Sequence, residues 1–240
     1  MRHIFWAGDS TCACNKFATY PQTGIAQAFD RYTRADVVIY NHAVNGRSTK
    51  SFIDESRLAS IYDEITKGDF LFIQFGHNDE KINDPARYSE PHGEFITNLG
   101  KFVNVARNKG AYPLFITSVE RRLFDENGEL KPSEHTEYVK GMKEAAERFD
   151  VPVADLFTKS REFLVKIGDE DSKKYYMNLA PGEALWAPEG KVDNSHLKYE
   201  GAMLYAGMIA DEIKKLGEPY STLIADAEYL KETYNIEING

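Results

Sequence analysis

Phe70-Leu71-Phe72-Ile73-Gln74-Phe75-Gly76-His77-Asn78-Asp79 is the stretch that decides the fold. Its first six residues are apolar except for Gln74, and they do not alternate. A strand with one wet face alternates polar and apolar side chains. A strand apolar on both faces belongs to a sheet covered above and below, which is the situation of parallel sheets flanked by helices. Gly76 ends the run, and a polar segment follows at what would be the carboxyl end of the strand.

The same pattern recurs on either side. Ile4-Phe5-Trp6 is a short strand candidate ending at Gly8, and Asp36-Val37-Val38-Ile39-Tyr40 is a second, ending near Asn45-Gly46. Tyr112-Pro113-Leu114-Phe115-Ile116-Thr117 follows the quoted stretch, and Val151-Pro152-Val153-Ala154 is a short last strand, read as an edge because Pro152 is tolerated there. Helical spacing fills the gaps. A helix is expected to start at Ser51-Phe52-Ile53-Asp54 and run to about Ile65, stopped by Lys67-Gly68. Phe95, Leu99, Phe102, Val103 and Ala106 mark a second helix, and Val139, Met142, Ala145 and Ala146 a third. Ala202, Tyr205, Ala206, Ile209 and Ile213 mark a long late one ending at Leu216-Gly217. Alternating strands and helices predict an α/β fold with a five-stranded parallel sheet, a flavodoxin-like three-layer sandwich in a single domain over 1–217. The segment 218–240 reads as a charged helical tail packed on the outside of the same domain.

Composition narrows the function. The chain has 240 residues, 42% hydrophobic and 28% charged, with a formal net charge of −9. Such a surface repels phosphate backbones and anionic lipid, so neither nucleic acid nor membrane is expected as a partner. The only cysteines, Cys12 and Cys14, are one residue apart, too close for a useful disulfide and too few for a zinc site. They are read as reduced and partly buried. Met1-Arg2-His3-Ile4-Phe5-Trp6 lacks the apolar region of a signal peptide, so a cytoplasmic location is expected. No cofactor and no metal are expected.

The unusual residues cluster after the strands, where open α/β sheets bind ligands. They are Gly8-Asp9-Ser10-Thr11, Asn41 to Ser48, Gly76 to Asp79, and Asp193-Asn194-Ser195-His196 before the last long helix. Their joint chemistry is acyl transfer. A serine hydroxyl needs a base. Asp193 and His196 stand three apart, a spacing that lets the carboxylate hold one imidazole nitrogen while the other faces Ser10. A tetrahedral intermediate needs donors for its oxyanion, and the Ser10 and Gly46 amides and the Asn78 side chain are candidates.

On these blocks the chain resembles the SGNH (GDSL-type) hydrolases, and most of all their rhamnogalacturonan acetylesterase branch. Gly8 to Thr11, Asn41 to Ser48, Gln74 to Asp79, and Asp193 to Ala202 match that branch in kind and in order, over nearly the whole chain. The resemblance implies the SGNH hydrolase fold. It implies Ser10 as nucleophile, His196 as base, Asp193 as its orienter, and an oxyanion hole from Ser10, Gly46 and Asn78. It further implies removal of acetyl groups from pectin-derived rhamnogalacturonan oligosaccharides, with an acetylated oligosaccharide as the partner. A lipase or thioesterase of the same superfamily, and an acetylxylan-type esterase, are the alternatives. A metallophosphoesterase would need Asp-x-His on the first strand, and Gly8-Asp9-Ser10 stands there.

Around this set the readings are plainer. Asp9 is read as a cap of the turn after it, and Asp79 as orienting Asn78 or capping the next helix. Arg47 is a candidate for a substrate carboxylate, although a structural ion pair is the preferred reading. His77 either touches substrate or braces its loop. Trp186, in the Gly/Pro-rich stretch from Leu179 to Gly190, is either a sugar-stacking wall or packing for that loop. Lys191 is grouped with the substrate-side loops. His3, His42, His92 and His135 have no partner pattern.

Overall fold

Neighbouring residues of each strand face opposite layers of core. In the computed structural model, which describes residues 1–234, Ile4, Trp6, Phe70, Phe72, Leu114 and Ile116 line one buried layer. Phe5, Ala7, Leu71, Ile73 and Phe115 line the other. Each fully buried Phe or Ile stabilises the fold by roughly 1.5–3 kcal/mol, so the two-faced apolar runs account for much of the core.

The strands are β1 (Arg2–Gly8), β2 (Val37–Asn41), β3 (Phe70–Gln74), β4 (Tyr112–Ile116) and β5 (Val153–Ala154). They form one parallel sheet in the order β2-β1-β3-β4-β5. β5 is an edge, which explains how Pro152 is accommodated beside it. The helices are α1 (Ile25–Ala28), α2 (Thr49–Asp54), α3 (Arg57–Glu64), α4 (Glu94–Asn108), α5 (Thr136–Phe149), α6 (Leu156–Ile167), α7 (Asp169–Ser172), α8 (Tyr199–Lys215) and α9 (Ala227–Tyr234). α1, α6 and α8 cover the first layer, and α2 to α5 cover the second. The order reverses between β1 and β3, and the crevice at such a switch point is where this topology binds ligands.

Three expectations change. The helix expected over 51–65 is two helices. Ser48, not Ser51, caps the first: its side chain accepts from the Ser51 amide while the Ser51 hydroxyl accepts from the Ser48 amide. The break falls at Ser56, whose φ of 59° ends the helical path. Next, the segment after Gly217 does not lie wholly outside. Tyr220, Leu223 and Ile224 join the first core layer, and Tyr220 donates to the Pro113 carbonyl at 2.8 Å. α9 follows, and the end of the expected tail, 235–240, lies outside the described residues. Finally, Cys12 is buried but Cys14 is exposed, so only the first behaves as a core group. α6 carries a helical pattern that the sequence reading passed over. Among the described residues no helix is long and apolar enough to cross a membrane.

Candidate active site

Ser10 follows β1 in a tight turn. Asp9 shapes that turn: its Oδ1 accepts from the Thr11 amide at 2.9 Å and the Thr11 hydroxyl at 2.8 Å, as expected of a cap. Burial is the larger influence on Asp9 and raises its pKa against those bonds.

His196 reaches Ser10 from the far end of the chain, with Nε2 2.9 Å from the Ser10 Oγ. Its Nδ1 lies 2.8 Å from Asp193 Oδ2. The other carboxylate oxygen accepts from the Ser195 and His196 amides, each at 3.0 Å, so one aspartate builds the turn and holds the ring. Burial opposes the charged form of Asp193. The His196 side chain and amide and Lys191 outweigh it and hold the carboxyl well below the usual range. The turn is anchored beneath by Arg122, which is buried. Its amide donates to the Asn194 carbonyl, and its guanidinium bonds Asn194 Oδ1 at 2.9 Å and also pairs with Asp169. No local pattern at Arg122 marks it for this task, because its partners are far along the chain.

The candidate oxyanion donors come from three loops. Gly46 has a φ of 77°, the left-handed region that glycine enters freely. An added Cβ there would meet only Arg87 Nη1, at 3.8 Å, so it is the positive φ and not crowding that calls for glycine. Among the described residues the Ser10 and Gly46 amides have no acceptor. Asn78 gives one Nδ2 hydrogen to the Arg47 carbonyl at 3.1 Å and keeps the second. Its Oδ1 accepts from Arg87 Nη1 at 3.4 Å, which fixes which way the amide points. Val44 donates to the Gly8 carbonyl at 3.1 Å, tying this loop to the serine turn. Arg87, itself held by Asp84 at 2.6 Å, is a site residue that the sequence reading missed.

The supporting residues sort differently from expectation. Asp79 neither orients Asn78 nor caps the helix after it. It reaches back to α2, where its Oδ1 accepts from the Thr49 amide and hydroxyl. Complete burial pushes its carboxyl up to about 7. Arg47 forms an ion pair with Glu55 at 3.0 Å, the preferred reading. His77 is buried, its ring 4.1 Å from that of His135, so it lies under the loop instead of in the opening. Burial foremost, then the charge of His135, Arg121 and His196, lowers its pKa well below the usual value. His135 is not the ordinary histidine expected: it is fully buried, with Nδ1 2.8 Å from Glu80. Trp186 is not core packing. It is 38% exposed, its Nε1 donates to the Tyr20 carbonyl at 2.7 Å, and it lines an open cleft of about 420 Å³ with Phe17, Tyr20, Glu183 and Leu185.

Residues 7–201 match the model of the GDSL-like lipase/acylhydrolase family. The chain belongs to that family. The match runs from the end of β1 through the Asp193–His196 turn to the start of α8, so it includes every loop of the site. Within the family the chain is 41% identical over 227 residues to the rhamnogalacturonan acetylesterase RhgT of Bacillus subtilis, covering 94% of this chain and 95% of that one. It is 36% identical over 222 residues to the probable rhamnogalacturonan acetylesterase YesY of the same organism, covering 92% and 97%. Among solved structures, the Bacillus subtilis protein YXIM superposes with a TM-score of 0.76 at 25% identity, over 91% of this chain and 58% of that one. A mutant of the acetyl-xylooligosaccharide esterase Axe2 from Geobacillus superposes with a TM-score of 0.59 at 15% identity, over 88% and 93%, a likeness of fold alone.

Proposed function

We propose that the chain is a carboxylic ester hydrolase that removes acetyl groups from carbohydrate, and specifically from pectin-derived rhamnogalacturonan oligosaccharides. The reading is carried by one observation: the serine–imidazole–carboxylate alignment at 2.9 and 2.8 Å, in a chain 41% identical to a rhamnogalacturonan acetylesterase along almost its full length.

In this reading the Ser10 Oγ attacks the acetyl carbonyl carbon as His196 Nε2 takes its proton, and Asp193 stabilises the imidazolium that forms. The carbonyl oxygen becomes an oxyanion held by the Ser10 and Gly46 amides and the free Nδ2–H of Asn78. Collapse of the intermediate breaks the carbon–oxygen bond to the sugar, whose alkoxide takes the proton from His196. The acetyl group is then on Ser10. Water repeats the attack with His196 again as base, releasing acetate and restoring the serine. Trp186, with Tyr20 beside it, supplies an aromatic face for a sugar ring, while Arg47 and His77 support the loops.

The transferred acyl group is acetyl in this reading, which rests on the likeness to the two rhamnogalacturonan acetylesterases. Phe17 and Leu185, 87% and 96% exposed, favour a second reading in which the cleft seats a longer acyl chain. A substrate panel separates the two. Acetate release should be fastest on acetylated rhamnogalacturonan fragments, slower on acetylated xylan, and esters beyond about four carbons should be poor substrates. Faster cleavage of octanoyl esters would overturn the carbohydrate assignment.

A further inference from the structure

Lys191 stands where the aromatic cleft meets the catalytic turn. Its Nζ lies 2.9 Å from Asp193 Oδ2, the oxygen that also faces His196 Nδ1 at 2.8 Å. The same Nζ lies 5.3 Å from the centre of the Trp186 ring. Its backbone is pinned: Lys191 and Leu179 exchange two hydrogen bonds, of 2.8 and 3.0 Å. Gly190 turns the chain just before it at a φ of 83°, where a Cβ would come within 2.6 Å of the Leu179 carbonyl oxygen. A long cationic side chain is thus delivered from a fixed base to one carboxylate oxygen.

We propose that Lys191 is a positioning residue of the triad, which divides the charge of Asp193 between itself and His196 and so keeps His196 in its proton-accepting form at lower pH. The inference rests on the hydrolytic reading of Ser10, His196 and Asp193. An undivided carboxylate attracts a proton onto its imidazole partner even before substrate arrives, and a protonated ring cannot act as a base. An ammonium on the same oxygen opposes a second positive charge there. It also fixes the carboxylate plane, since Oδ1 is already committed to the Ser195 and His196 amides.

Other groups bear on the His196 ring. Ser10 is its hydrogen-bond partner. Asp9, buried after β1, interacts with it electrostatically. His77, after β3, acts on it electrostatically, with His135 behind. Among the described residues none of these touches Asp193 Oδ2, so removing the lysine changes one influence and leaves the others in place.

The test is the pH dependence of kcat/KM on 4-nitrophenyl acetate, a small neutral ester without a sugar for the cleft. In Lys191→Met the acid limb should move up by about one pH unit. Lys191→Gln, a donor without charge, should follow the methionine variant, and Lys191→Arg should restore the wild-type limb. Thermal unfolding identifies any variant that fails to fold, and the glutamine variant then carries the comparison. An acid limb that stays in place in both uncharged variants, or an arginine variant that behaves as they do, overturns the proposal. If Ser10→Ala keeps its activity, the hydrolytic reading fails and takes this inference with it. If Ser10→Ala is inactive while the limb stays in place, only the role of Lys191 is lost.

Discussion

The Ser10 hydroxyl and the His196 ring are 186 residues apart in the chain and 2.9 Å apart in space. The sheet makes this possible. Ser10 leaves the end of central strand β1, and His196 lies just ahead of α8, which packs on the layer containing Trp6 and Ile4. The turn after β1 and the turn just ahead of α8 therefore hold the pair.

If the pair acts as a unit, Ser10→Ala should lower kcat by about a million-fold. His196→Ala should cost about as much, and the double variant little more. Steady-state kinetics with thermal unfolding as a control checks this, and losses that multiply in the double variant would separate the two roles. A serine-directed organophosphonate should label Ser10.

If Asn78 is an oxyanion donor, as proposed, Asn78→Ala should lower kcat by about 10²–10³ with a smaller change in KM, because such a donor meets charge that develops in the transition state. The change also leaves the Arg47 carbonyl without its donor. Kinetics on a single acetyl ester decides the point: a loss confined to KM would assign Asn78 to ground-state binding.

Trp186→Ala should weaken oligosaccharide use far more than use of 4-nitrophenyl acetate. A roughly tenfold fall in kcat/KM on the oligosaccharide corresponds to about 1.4 kcal/mol of lost ring contact. Equal losses on both esters would place the effect in the loop, through the Trp186–Tyr20 bond.

Asp79 predicts a pH dependence of stability. Its carboxyl titrates near 7 in the folded protein, above its ordinary value of 3.8. The folded state therefore holds a proton that the unfolded chain releases, and the contribution is full below 3.8 and lost as pH rises through 7. At roughly 1.4 kcal/mol per unit, the whole contribution is at most about 4 kcal/mol. Asp79→Asn keeps an acceptor for Thr49 and removes the titration. Denaturant unfolding from pH 4 to 8 should give a wild-type stability that falls relative to the variant, and parallel curves would refute it.

The sequence by itself determined the sheet and named Ser10, Asp193 and His196, which the structure brings together. Runs such as Phe70 to Ile73 are apolar on both faces, and a chain can satisfy them only by covering both sides of a strand. Three of the four polar blocks then fall at strand ends because that is where such strands stop, and the fourth, Asp193 to His196, lies just ahead of α8. The Asp193–His196 spacing was legible for the same local reason, since a carboxylate can turn back on a ring three residues ahead. What the tertiary structure decided is everything that depends on which distant residues meet. The helix break at Ser56, the reach of Asp79 back to Thr49, the burial of His135 on Glu80, Arg122 beneath the catalytic turn, Arg87 on the Asn78 amide and Lys191 on Asp193 have no repeating spacing behind them. Hydrophobic periodicity is a local signal repeated along the chain. A single polar contact is written by one side chain whose partner is selected only when the sheet closes, so its energy and its meaning exist only in the folded molecule.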